Sequence, residues 1–129
     1  MAISFSFGLG DPVIDVEVRD GGNAASATAL LDSGCEMTGI SSTIATRLSL
    51  VPIGSKVLAG TTGALRVDTY AVDLDFAPAG LTTVFSTWEV FEIQGSLGVD
   101  VVIGRDIICH GTPSSQLILG PGGSGTLDL

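Results

Sequence analysis

Apolar positions along this chain recur with a period of two far more often than with a helical period. In "VIDVEVRD", Val13, Ile14, Val16 and Val18 interleave with Asp15, Glu17 and Arg19, which reads as a half-exposed strand. "DGGNAAS" supplies turn chemistry and "ATALLD" a second apolar strand, so residues 12–32 read as a hairpin. "KVLAGTTGALRVDTYAVDLDF" predicts a long hairpin with Gly60, Thr61, Thr62 and Gly63 at its tip. "APAG" turns the chain, "TTVFSTWEVFEI" continues as strand, and "SQLILGPGGSGTLDL" closes it with a hairpin around a glycine-rich turn. "VDVVIG" does not alternate, the mark of a central strand covered on both faces. Helical spacing occurs in two short places. In "SSTIATRLSL", Ile44, Ala45 and Leu48 share a face, Ser41 or Ser42 offers an N-cap, and Pro52 and Gly54 mark the end. "RDIICHG" predicts one or two helical turns before Gly111. The pattern therefore predicts a mainly β fold, a closed or nearly closed barrel with one or two short helices.

Composition narrows the range of partners. With 129 residues and no internal repeat or low-complexity linker, the chain is expected to form one domain around one core. Charged residues make up only 15%, low for a monomer that must cover its whole surface, which points to a buried interface. The net charge of -9 and the scatter of the five basic residues argue against nucleic acid and against an anionic membrane surface. No segment approaches the ~18 apolar residues of a membrane span, and "MAISFSFGLGDP" lacks the basic and apolar regions of a signal peptide. Cys35 and Cys109 are too few for a disulfide framework, so a soluble, cytoplasmic protein with free thiols is expected.

The chemistry concentrates in "LLDSGCEMTGIS". Two leucines lead directly to Asp32, Ser33 supplies a hydroxyl, and Gly34 permits close backbone approach. Such a tripeptide also ends ordinary strands in ordinary turns. One carboxylate alone is poorly equipped for acid-base hydrolysis, whereas two that share a proton can activate water and protonate a carbonyl. The chain holds no second Asp-Ser/Thr-Gly, so a second carboxylate of this kind would come from another subunit. Cys35 with the only histidine, His110, is the alternative nucleophilic pair. Two cysteines, Cys109 included, and one histidine lack metal-ligand spacing.

"ALLDSGCEMTGIS" resembles the catalytic segment of retropepsin-like aspartic proteases, in which two hydrophobic residues precede Asp-Thr/Ser-Gly-Ala-x-x-Thr. "LAGTTGALRVDTY" resembles the single flap of that family, "VVIGRDII" its strand-helix element, and "ILGPGGSGTLDL" the end of bacterial members. The resemblance spans roughly residues 12–129. It implies a homodimeric endopeptidase with a closed barrel, one flap hairpin, a peptide or protein substrate and no cofactor. Asp32 would be the catalytic aspartate, Ser33 would hydrogen-bond across the dimer, and Gly34 would let the substrate backbone approach. Arg105 and Glu36 fall where the family has an Arg-carboxylate pair beneath the active-site loop, and Asp106 is placed to cap the short helix. The segment Leu58 to Leu65, with Gly60, Thr61, Thr62 and Gly63, would cover the peptide. Cys35 departs from the usual alanine beside the substrate backbone, and residues 1–10 have no counterpart, leaving an extra strand, a dimer contact or a propeptide-like arm open. A silent dimerisation or peptide-binding module on the same fold is the non-enzymatic alternative.

Overall fold

The computed structural model describes residues 2–6, 10–60, 63–95, 98–110, 116–119 and 123–129. Among the described residues, ten strands and two short α-helices follow in the order β1 (Ala2–Ser6), β2 (Val13–Asp20), β3 (Asn23–Leu31), β4 (Gly39–Ser41), α1 (Ser42–Arg47), β5 (Gly54–Gly60), β6 (Gly63–Asp75), β7 (Val84–Ile93), β8 (Val101–Ile103), α2 (Arg105–Ile108), β9 (Gln116–Leu119) and β10 (Ser124–Asp128). A 3₁₀ turn at Ala77–Ala79 occupies the expected "APAG" corner.

Six strands run round a closed ring in the order β2-β3-β8-β4-β7-β6, and β6 returns to pair with β2. The closing seam sets Glu17 opposite Asp75, Val18 opposite Leu74 and Arg19 opposite Asp73. Two acids facing each other across a ladder repel. Arg19 relieves this by donating from one guanidinium nitrogen to both Glu17 and Asp75. β5 lies outside the ring, paired only with β6, so the β5-β6 hairpin projects from the barrel wall.

The long hairpins, the central strand and the helices fall where the pattern predicted them. Ser41 caps α1, its hydroxyl accepting from the Ile44 amide at 3.2 Å. The helix ends before Pro52, because Ser49 turns left-handed (φ 51°) and the Leu50 amide bonds back to Ala45. The N-terminal segment, left open by the sequence, is a strand: β1 pairs antiparallel with β10, which pairs with β9, in a separate three-stranded sheet. Among the described residues no helix is long and apolar enough to cross a membrane.

β8 lacks alternation because it separates two apolar clusters. Val101 and Ile103 face the barrel core with Val16, Val18, Leu31, Ile40 and Leu74. Val102 faces a second, smaller cluster with Val67, Phe91 and Ile93, against which Leu30 and Leu58 pack. Gly39 sits where a side chain would enter this second cluster: a Cβ there would lie 2.8 Å from Phe91 and Ile93 atoms. The space is filled by the Phe91 ring instead.

The seam generates a pH expectation. The Asp75 carboxyl lies below its ordinary range, held there first by the Ala77 amide (2.8 Å) and then by Arg19. A carboxyl depressed in the folded state contributes stability above its unfolded pKa and loses it as pH falls through the folded value. Denaturant midpoints should therefore drop on the acid side of the aspartate range, and Asp75→Asn should flatten that drop while lowering stability at neutral pH.

Candidate active site

Asp32 follows the last residue of β3, and two strands fix its backbone. The Leu31 amide bonds to the Pro12 carbonyl at 2.9 Å and the Asp32 amide to the Ile103 carbonyl at 3.0 Å. The chain then turns tightly: the Cys35 amide reaches the Asp32 carbonyl at 3.1 Å, and the Gly34 amide donates to Asp32 Oδ1 at 2.9 Å. Half-buried Asp32 thus presents a carboxylate oriented by its own loop, while Ser33 and Gly34 are exposed.

The loop 32–38 is clamped from below by α2. The first amides of a helix have no partners within it, and here the loop takes them up. Gly104 N donates to Thr38 Oγ1 (3.1 Å), Arg105 N to the Cys35 carbonyl (2.7 Å) and Asp106 N to the Glu36 carbonyl (3.3 Å). The approach is so close that a Cβ on Gly104 would sit 2.8 Å from backbone atoms of Cys35 and Met37.

Asp106 completes the clamp. Its Oδ1 accepts from the Thr38 amide (3.0 Å), the Thr38 hydroxyl (2.7 Å) and the Ile107 amide (3.0 Å), and its Oδ2 from the Trp88 indole N–H (2.9 Å). Asp106 is not the N-cap of the helix, a position that Gly104 holds without a side-chain bond; it lies in the first turn of α2 and ties the loop to β7. Fully buried Thr38 is the middle of this network, its hydroxyl donating to Asp106 and accepting from Gly104.

The expected pairing of Arg105 with Glu36 is not formed. Both side chains are exposed, and Arg105 donates instead to the Ser33 carbonyl at 3.2 Å. The physical reason lies in the first turn of α2: Asp106 turns inward to satisfy the enclosed donors, which leaves Arg105 on the outer surface beside the loop. Thr38 and Trp88 were not singled out from the sequence. The usable signals were the threonine of the quoted motif and the single tryptophan on a strand otherwise rich in valine and phenylalanine.

Above this loop lies a cleft of about 480 Å³. Its floor is the second apolar cluster, with Leu30, Phe91, Ile93 and Val102, and its wall is the β5-β6 hairpin, contributing Leu58 and Leu65. Asp32 and Cys35 open into it. Gly60 and Gly63 pair with each other across the hairpin end, and Thr61 and Thr62 lie outside the described residues. The Cys35 thiol donates to the Met37 carbonyl at 3.0 Å, and burial pushes its pKa up. His110 stacks edge-on against Phe85 and Trp88, ring centroids 5.4 and 5.1 Å away, and makes no bond to Cys35. A raised thiol without a base beside it does not meet the requirements of a cysteine nucleophile.

No protein-family model and no curated protein matches the sequence. Solved structures do. A retropepsin-like aspartic protease from Rickettsia conorii superposes with a TM-score of 0.69 at 12% identity, covering 99% of this chain and 90% of that one. An inhibitor complex of EIAV protease gives 0.63 at 16%, covering 82% and 93%, and the simian foamy virus protease 0.51 at 15%, covering 74% and 89%. The chain has the retropepsin-like fold: a closed six-stranded barrel with two short helices.

Two measurements test the clamp and the thiol. Trp88→Phe keeps a ring against Phe85 but removes the donor to Asp106, and should cost about 1–3 kcal/mol in denaturant unfolding. Thr38→Val strands both the Gly104 amide and part of the Asp106 carboxylate, so it should cost more than Trp88→Phe. At neutral pH a limiting alkylating reagent should modify exposed Cys109 first and half-buried Cys35 slowly, read by peptide mapping.

Proposed function

We propose that two copies of this chain form an aspartic endopeptidase, with one active site built from the Asp32 carboxylates of both subunits. The observation that carries this reading is the placing of Asp32: it sits on a loop clamped by α2 and opens into an apolar cleft beneath a projecting hairpin. The low charge content and the half-exposed Ile118 and Leu119 on edge strand β9 favour a second copy, which would cover apolar surface.

In the proposed mechanism a peptide lies extended in the cleft, its apolar side chains against Phe91, Ile93 and Val102. A water held between the two Asp32 carboxyls loses a proton to one of them and attacks the scissile carbonyl carbon. The other carboxyl gives its proton to the carbonyl oxygen, forming a gem-diol. Transfer of a proton to the leaving nitrogen then lets the C–N bond break, releasing a carboxylic acid and an amine. Two such carboxyls close together share one proton, so activity should favour acidic to mildly acidic pH. The hairpin Leu58 to Leu65 acts as the flap that shuts out water, Gly34 leaves room for the substrate backbone, and Ser33 bonds across the dimer. Arg105 steadies the loop through the Ser33 carbonyl, with Glu36 left at the surface.

Cleavage of a mixed peptide library at several pH values, wild type beside Asp32→Asn, tests the proposal. Cuts should appear in acid with wild type, be blocked by a pepstatin-type inhibitor, and vanish in the variant. Equal cleavage by both proteins would remove Asp32 from the chemistry. No cleavage by a demonstrably folded dimer would make the chain a peptide-binding or dimerisation module.

A further inference from the structure

Two polar residues at the cleft have no part in the chemistry above: Asp11 and Gln94 line it together with the apolar floor and wall. No basic side chain lines the cleft among the described residues. Asp11 is also held in place. It precedes Pro12, which restricts its backbone to extended conformations. The Pro12 carbonyl is in turn bonded to the Leu31 amide, one residue before Asp32. The segment carrying Asp11 is thus fixed to the same strand end that delivers Asp32. Its carboxylate makes no ion pair among the described residues, on a chain of net charge -9.

We propose that the cleft selects peptides in which a lysine or arginine lies near the apolar side chain that fills its floor, and that Asp11 sets this preference. The proposal names the substrate class for the reading above and rests on that reading. A cationic head emerging from an apolar stem suits such a surface. Its methylenes extend along Leu30 and Val102 while the charge reaches the carboxylate at the rim. Gln94 offers an amide oxygen to the same donor. An acidic side chain in that place would meet repulsion from Asp11 and Asp32, with no basic side chain among the described residues that line the cleft.

The test separates selection from hydrolysis by using the Asp32→Asn chain as a binding probe, which also removes the contribution of Asp32 to the field. Extended apolar peptides carry arginine, glutamine or glutamate at successive positions, and fluorescence anisotropy reads their affinities. Arginine should be favoured over glutamate by about three- to tenfold at one position, in line with partly exposed charge pairs. Asp11→Asn should erase the ratio and Asp11→Lys should invert it. The near-isosteric asparagine variant keeps the test sound should the lysine variant fold poorly. A ratio unchanged by either substitution, equal affinities for all peptides, or no binding of any peptide overturns the proposal. Selective binding without cleavage by the wild type would sink the endopeptidase reading and leave the selectivity standing.

Discussion

One carboxylate organises the region around the site. Asp106 stands where the loop, the first turn of α2 and the middle of β7 meet, and it accepts from buried Thr38 and Ile107 and from the half-buried Trp88: the Thr38 amide and hydroxyl, the Ile107 amide and the Trp88 indole. Leaving any of these unsatisfied in an enclosed place costs more than its hydrogen bond contributes when made. The arrangement is therefore held by the penalty for undoing it. Around it, the open N-terminal amides of α2 take up loop carbonyls that would otherwise need solvent. A four-residue helix is too short to be stable alone. Here it is stabilised by the loop that it holds.

This economy explains how a small barrel presents a fixed carboxylate. The barrel wall carries strain of its own, visible where Glu17 and Asp75 face each other and Arg19 neutralises the seam. β8 lies between two apolar clusters, so that Ile103, which holds the Asp32 amide, is embedded in the core. The neighbouring Val102 belongs to the cleft floor. One short strand thus links the stability of the fold to the position of Asp32 and to the shape of the cleft. Substitutions that loosen this strand would be felt at both places.

The likeness to retropepsins lies in shape far more than in residues, at 12–16% identity. The local resemblance read from the sequence rests on the tripeptide at 32–34, the threonine at 38 and the Gly-Arg-Asp turn at 104–106. These are the positions at which backbone amides and short polar side chains interlock, where few residue types can serve. The apolar remainder needs only suitable volume and alternation.

Much of this was legible in the sequence. Period-two alternation and glycine-bearing turns located the hairpins, and the run "VDVVIG" marked a doubly covered strand, because local patterning follows which face of a strand is buried. The loop of Asp32 was legible because its chemistry is local. What the sequence alone left open was the pairing of β1 with β10 and of β6 with β2, and where it did name a distant partnership, Arg105 with Glu36, the structure braces the loop through Asp106 and Trp88 instead. Neighbouring residues 105 and 106 are both charged and both suited to bracing a loop. Which of them turns inward depends on where a helix four residues long meets a loop nearly seventy positions earlier, and only the tertiary structure sets that geometry.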